Sequence, residues 1–299
     1  MTGLPGSEVV GLGWWGPRSS ARVDRMTTAA ASRPIRIGLQ LQPQHATYAQ
    51  LRDAVSRAED LGVDIVYNWD HFYPLNGDPD GAHFECWTLL AAWAEQTTRV
   101  QLAPLVTCNS YRNPDLLADM ARTVDHVSDG RLILGIGSGW FERDYDAYGY
   151  EFGTAGSRLD DLAESMPRIK ARWAALNPPP TRDIPVLIGG GGERKTLRIV
   201  AQHADIWHTF ATGEELAHKA SVLRDHCAAV GRDPAEIEMS VGVGGRGRDG
   251  RQPEAPEVEG TPLLELGATT FTMGISGPDY PMEHVEPWLR WRDELNAAG

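Results

Sequence analysis

From Pro34 onward, short runs of apolar and β-branched residues alternate with stretches whose apolar positions recur every three or four residues. Continuous apolar runs suit strands buried on both faces, and the longer period suits helices with one buried stripe. Eight runs read as strands: Ile35 to Leu41, Val63 to Trp69, Val100 to Val106, Leu132 to Ile136, Pro185 to Ile188, Asp205 to Phe210, Ile237 to Val243 and Thr270 to Ile275. Helical patterns cover Tyr48 to Leu61, Phe84 to Gln96, Pro114 to Val127, Arg158 to Leu176, Glu193 to His203 and Glu214 to Val230. In the first of these, Leu51, Val55, Ala58 and Leu61 share a face and Gly62 follows as a C-cap. Repeated βα units imply a parallel sheet, and eight strands favour closure, so the fold class is α/β, a (β/α)8 TIM barrel.

Two segments break the rhythm: Asn177 to Asp183, with three consecutive prolines, and Gly244 to Gly260, rich in Gly, Arg, Asp, Glu and Pro. Both read as loops, the second either covering an active site or serving as a plain solvated linker. Residues 1–33 are rich in Gly, Ser, Ala, Thr and Arg, lack periodicity and contain a second methionine, Met26. They are expected to be a disordered extension or to lie upstream of the true start, with docking of Trp14 and Trp15 on the barrel as the alternative. Residues 34–299 are then one barrel domain.

Charge narrows the partners. With 41 acidic against 28 basic residues the net charge is -13, which repels phosphate backbones and anionic membranes, so neither nucleic acid nor a membrane is expected as a partner. No apolar run approaches the roughly 20 residues of a membrane span, and no leader pattern opens the chain. Three cysteines, Cys86, Cys108 and Cys227, cannot all pair and show no C-x-x-C spacing, which fits a reducing cytoplasm.

In such a barrel, chemistry belongs where strands end and βα loops begin. The second strand ends as Trp69-Asp70-His71-Phe72, a carboxylate beside an imidazole flanked by aromatics. A His next to an Asp can move a proton near neutral pH; the plainer alternative is a helix-capping Asp70 and an ordinary rim His71. The third ends as Ala103-Pro104-Leu105-Val106-Thr107-Cys108-Asn109-Ser110-Tyr111, hydroxyl and amide groups that line a ring-shaped ligand or simply form a turn. The fourth ends as Gly135-Ile136-Gly137-Ser138-Gly139-Trp140, alternate glycines that admit a flat ligand or serve tight strand packing. A dinucleotide fingerprint is rejected there, because it should follow the first strand and open a helix. The fifth runs into Gly189, Gly190, Gly191 and Gly192, then Glu193-Arg194-Lys195, a nest of backbone amides at a helix N-terminus suited to phosphate, with Arg194 or Lys195 adding charge. His45, His83 and His208 face the barrel mouth in this reading, but no spacing among them marks a metal site.

Taken together, D-H-F after the second strand, V-T-C-N-S-Y-R-N-P at the third, G-R-L-I-L-G-I-G-S-G-W-F-E at the fourth and I-G-G-G-G-E-R-K-T-L at the fifth resemble the luciferase-like monooxygenase superfamily. The likeness runs from about Ile35 to about Val243 and is closest to the branch of oxidoreductases dependent on the deazaflavin coenzyme F420. It implies a bacterial-luciferase-like barrel with the deazaflavin ring near its axis. By that resemblance Asp70 contacts the ring and His71 is the catalytic residue beside the reactive carbon. A non-proline cis peptide is implied at Pro104 to Leu105. Leu105 and Thr107 would be ring contacts, Gly137, Ser138 and Gly139 would line the pocket, and Gly189 to Gly192 with Arg194 would take the phosphate, Thr209 lying near that edge. Trp69, Phe72 and Trp140 would enclose a small-molecule substrate, and a homodimer is expected. Trp140 stands where deazaflavin-dependent sugar-phosphate dehydrogenases carry a glutamate, so a sugar phosphate is not implied. Compared with relatives the chain is short between Trp173 and Ile184, and Ile206 replaces an expected glycine. The expected activity is hydride transfer between F420 and a small organic substrate. The alternatives are an FMN-dependent monooxygenase of the same superfamily, a non-catalytic flavin- or deazaflavin-binding protein, and a metal-assisted hydrolase.

Overall fold

A computed structural model describes residues 33–244 and 252–298. Residues 1–32 of the expected extension, with its two tryptophans, and the middle of the 244–260 loop lie outside the described residues, while Arg33 donates to the Ala235 and Glu236 carbonyls at 2.8 Å.

Strands and helices alternate as the hydrophobic pattern requires: β1 (Arg36–Leu41), α1 (Tyr48–Leu61), β2 (Ile65–Asn68), α2 (Cys86–Gln96), β3 (Gln101–Pro104), β4 (Thr107–Cys108), α3 (Pro114–Val127), β5 (Leu134–Gly137), α4 (Glu142–Tyr148) and α5 (Ala155–Ala175). The second half follows with β6 (Val186–Gly189), α6 (Thr196–His203), β7 (Ile206–Thr209), α7 (Gly213–Val230), β8 (Glu238–Val243), α8 (Gly260–Glu265), β9 (Ala268–Ile275) and α9 (Glu286–Ala298). Sequence chemistry sets many of the ends. Thr47 and Gln50 form a capping box at α1, and Gly62 ends it at φ 97°. Asn113 caps α3 with Pro114 in its first turn.

All strand pairs are parallel, in the order β3-β2-β1-β9-β8-β7-β6-β5-β4. β3 and β4 are two pieces of the third strand read from the sequence. Leu102 of β3 also bridges in parallel to Leu132, just before β5, so the ring closes as an eight-stranded barrel with one interrupted strand. The interruption corrects the expected position of the cis peptide, which lies at Leu105–Val106 and not at Pro104–Leu105. Pro104 still pairs with Asn68, and the Leu105 amide donates to Asn68 O at 2.7 Å, so the chain leaves the ladder one residue later than expected.

Strand alternation sorts the core into two layers. Ile65, Tyr67, Ala103, Leu105, Ile133, Leu187 and Ile206 pack together inside the barrel, while the larger core lies between strands and helices. Below the inner layer, at the N-terminal ends of the strands, Arg36 pairs with Glu238 at 2.5 Å and donates to Gln101 Oε1 at 2.6 Å, and Thr270 donates to Glu238. The closed lower end leaves the C-terminal mouth as the open one.

Candidate active site

At that mouth lies a cleft of about 890 Å³ whose walls come from strand ends all round the ring. Gln40 of β1, Trp69 to His71 after β2, Leu105 to Cys108 around the strand break, Gly139 and Trp140 after β5, Gly189 and Gly190 at β6, and His208 and Phe210 at β7 line it.

His71 is held on several sides. Its Nδ1 donates to Asp144 Oδ2 at 2.8 Å, and the rings of Trp69, Trp140 and Phe141 stand edge-on to the imidazole at 6.2, 5.7 and 5.4 Å between centroids. Asp144, fully buried on α4, also accepts from the Phe72 amide at 3.1 Å and the Tyr111 hydroxyl at 3.0 Å. Burial, reinforced by Cys108 and Asp144, pushes the Tyr111 phenol far above its ordinary pKa, so it stays a donor. A carboxylate on Nδ1 fixes the tautomer and leaves Nε2 as the imidazole's open atom on the cleft. Sequence reading missed Asp144, and it placed Tyr111 at the third strand end without its bond to Asp144. The acidic first turn of α4, Glu142 and Asp144 just after Trp140-Phe141, was the available signal for a helix start.

Asp70 lines the cleft, but its oxygens are occupied by protein. Arg112 donates to both at 2.6 and 3.0 Å, and Thr107 Oγ1 and the Cys108 amide donate to Oδ2 at 2.7 and 2.9 Å. Thr107 is tied as well, accepting from the Trp87 indole at 2.9 Å. Arg112 continues to Glu85, the N-cap of α2, at 2.7 Å. Burial works against the guanidinium charge, and Asp70 outweighs it, leaving the Arg112 pKa above the usual arginine value.

The glycines act by what they lack. A Cβ on Gly137 would meet Val106 Cγ2 at 2.7 Å, and one on Gly189 would approach Val106 Cγ1 at 3.0 Å, so both make room for the residue at the strand break. Gly139, at φ +82°, has no space for a Cβ beside the Tyr145 hydroxyl and Cys108 Sγ. Gly190, at φ +127°, is pinned through its carbonyl by the Trp207 indole at 2.7 Å. α6 begins at Thr196, later than the expected Glu193, because Gly192 to Lys195 form a turn that the Leu197 amide closes onto Gly192 O.

Several expected site residues stand away from the cleft lining. Phe72 stacks on Tyr148 at 4.0 Å and packs at a tilt against Tyr111 at 4.8 Å between centroids. The Ser138 carbonyl accepts from Tyr145. Gly191 and Gly192 lie beyond Gly190, where Lys219 donates to Gly191 O at 2.8 Å, a cation that sequence reading did not single out. Arg194 is exposed on the same turn, and Lys195 pairs with Asp160 at 2.7 Å. Thr209 is buried and accepts from the Ala211 amide. Of the histidines, His83 accepts the Trp69 indole at 3.0 Å, and burial with His71 nearby lowers its pKa to about 4; His45 binds Asn76 O.

The sequence profile of the luciferase-like monooxygenases matches residues 27–245. The chain is 30% identical over 189 residues to the F420-dependent glucose-6-phosphate dehydrogenase of Amycolatopsis mediterranei, covering 57% of this chain and 54% of that protein. It is 26% identical over 230 residues to the enzyme of the same name from Kineococcus radiotolerans, covering 71% and 68%. A Mycobacterium tuberculosis protein is 29% identical over 184 residues, 54% of this chain and 64% of that one, so the match spans between half and two thirds of most of these relatives' length. Among solved structures, an F420-dependent secondary alcohol dehydrogenase bound to an F420-acetone adduct superposes with a TM-score of 0.75 at 17% identity, over 86% of this chain and 98% of that one. The coenzyme F420-dependent tetrahydromethanopterin reductase of Methanopyrus kandleri gives 0.63 at 15% identity, over 86% and 97%. The barrel with its interrupted third strand is therefore the bacterial-luciferase-like fold, and the chain belongs to the luciferase-like monooxygenase family.

Proposed function

We propose that this protein is an F420-dependent oxidoreductase acting on a small, uncharged alcohol or carbonyl compound. The observation that carries the reading is His71, oriented by buried Asp144, in the cleft of a barrel whose relatives are named as F420-dependent dehydrogenases. The residues present fit a flat ring with a phosphate tail. Gly189 and Gly190 present backbone rather than side chain to the cleft, His208 lines it with a buried Nε2 that has no partner among the described residues, and the Gly191 to Lys195 turn with Arg194 suits an anion at its outer edge. When bound, F420 supplies a ring carbon that takes or gives a hydride.

The protein's own part is proton handling and exclusion of water. As an alcohol C–H electron pair leaves with the hydride, its O–H proton passes to His71 Nε2, and Asp144 stabilises the resulting imidazolium. In the reverse direction the same nitrogen returns the proton to the carbonyl oxygen. Trp69, Trp140 and Phe141 surround the imidazole, which favours apolar substrate groups there. Among the described residues neither Lys nor Arg lines the cleft, and three arginines of its surroundings are engaged: Arg112 by Asp70 and Glu85, Arg143 by Asp80, Arg158 by two backbone carbonyls. Among those residues a substrate phosphate would find no cationic partner in the cleft lining beside His71, which favours neutral alcohols over sugar phosphates.

Titration of the purified protein with oxidised and reduced F420, and separately with FMN, tests the cofactor; a panel of neutral secondary alcohols against glucose 6-phosphate, with His71→Ala as control, tests the chemistry. F420 binding with alcohol oxidation lost in the variant supports the reading. FMN binding alone would transfer it to a monooxygenase, and F420 binding without turnover on any substrate would leave a cofactor-binding protein.

A further inference from the structure

The floor of the cleft is the uppermost inward-facing layer of the barrel. β5 and β6 contribute Gly137 and Gly189 there, with the Val106 side chain leaning across them, whereas β1 contributes Gln40 and β7 contributes His208. Gln40 is committed, its Nε2 donating to Leu105 O at 3.0 Å. His208 is half committed. It is 2% exposed, its Nδ1 bonds Ser240 Oγ on β8 at 2.9 Å, and the Phe210 ring stands perpendicular to it at 5.0 Å. These contacts fix the ring's orientation, and its buried Nε2 has no hydrogen-bond partner among the described residues.

A buried polar atom without a partner costs about 1–3 kcal/mol, so an imidazole locked in that state beside an open cleft is costly unless a ligand completes it. Nothing in a barrel interior demands a histidine here; a leucine or phenylalanine would fill the volume without the penalty. Burial also lowers its pKa to about 3, so across the physiological range the ring is neutral, with one nitrogen donating and the other accepting. If Ser240 donates to Nδ1, Nε2 is a donor; if Ser240 accepts, Nε2 is an acceptor.

We propose that His208 is a ligand-binding residue of this site, its Nε2 hydrogen-bonding the polar edge of the ring seated in the cleft. That edge must carry adjacent N–H and C=O groups, as the pyrimidinedione of a flavin or deazaflavin does, which serves either tautomer. The proposal rests on the cofactor reading above and adds the element that fixes the ring's rotation in the cleft, on the wall that Ser240 and Phe210 brace.

The test compares wild type, His208→Phe and His208→Gln. Phenylalanine keeps the bulk and removes the nitrogen, while glutamine returns a polar atom near the position of Nε2. F420 and FMN affinities are read by fluorescence titration, the emission maximum of the bound pigment is recorded, and the melting temperature of the ligand-free protein is measured alongside. The expected result is F420 binding weakened about tenfold in His208→Phe with a shifted emission maximum, at least partial recovery in His208→Gln, and a ligand-free melting temperature in His208→Phe equal to or above that of wild type. A purely structural histidine would give the opposite pattern, a lower melting temperature with unchanged affinity, and would overturn the assignment. Equal F420 affinity in wild type and His208→Phe overturns it while leaving the cofactor reading intact. Failure of wild type to bind either F420 or FMN defeats the cofactor reading, and this assignment with it.

Discussion

Orientation of His71 depends on a carboxylate that lies 73 positions away in sequence. Asp144 accepts from the imidazole, a phenol and a backbone amide. Asp144→Asn keeps the shape but introduces an N–H pair that can face Nδ1 and favour the wrong tautomer, so turnover should fall by about 10²-fold or more. F420 affinity should stay within about threefold, because Asp144 does not line the cleft. Equal losses in affinity and turnover, or an unchanged pH profile of turnover, would count against an orienting role. Asp70 and His71 were legible because a carboxylate and an imidazole interrupt an apolar strand end. Asp144 and Arg112 were not, and Tyr111 was legible only as a strand-end hydroxyl, since their meaning comes from partners that only the barrel brings together. Phe72 illustrates the converse: adjacency to His71 suggested the pocket, but the chain turns there and delivers its ring to Tyr148 and Tyr111.

Between elements, Asp70 does the joining. One buried carboxylate ties the end of β2 to β4 through Thr107 and Cys108, to the turn before α3 through Arg112, and onward to the first turn of α2 through Glu85. Asp70→Ala should destabilise the fold by about 3–5 kcal/mol, because it takes the buried carboxylate from a largely buried guanidinium and leaves it the partly exposed Glu85. Combining it with Arg112→Leu should recover at least half of that loss, since Glu85 is partly exposed and water can take over its pairing. Urea denaturation of both variants checks this; a single variant within about 1 kcal/mol of wild type would show that the network carries little of the stability. The strands themselves were the most legible elements, because burial on both faces writes them as apolar runs. Less legible were α4, only seven residues long, and α6, whose first turn is a glycine-rich bend rather than helix. The third strand read as one run because its apolar pattern continues through the break, and periodicity carries no information about where the ladder stops.

For the whole molecule, buried histidines set how stability responds to acid. Burial lowers the pKa of His208 to about 3 and of His83 to about 4, and it lowers His203 and His284 as well, all from an ordinary value of 6.5. Below pH 6.5 the unfolded chain binds protons at these positions that the folded chain refuses, so unfolding takes up protons and stability falls as pH falls. Carboxylates act lower. Glu59, whose bonds to the Thr98, Arg99 and Val100 amides outweigh burial and depress its pKa below 4.5, gives up its contribution only as pH drops through that range. The interval from pH 6.5 to 5 therefore isolates the histidines. Ligand-free protein should melt at a lower temperature at pH 5.0 than at 7.5, and His208→Phe should flatten that dependence because phenylalanine removes one of the sites that only the unfolded chain protonates. A wild-type melting temperature that does not change across this interval would mean that the histidines take up protons in the folded state, and with them that the barrel floor around His208 is wet rather than dry.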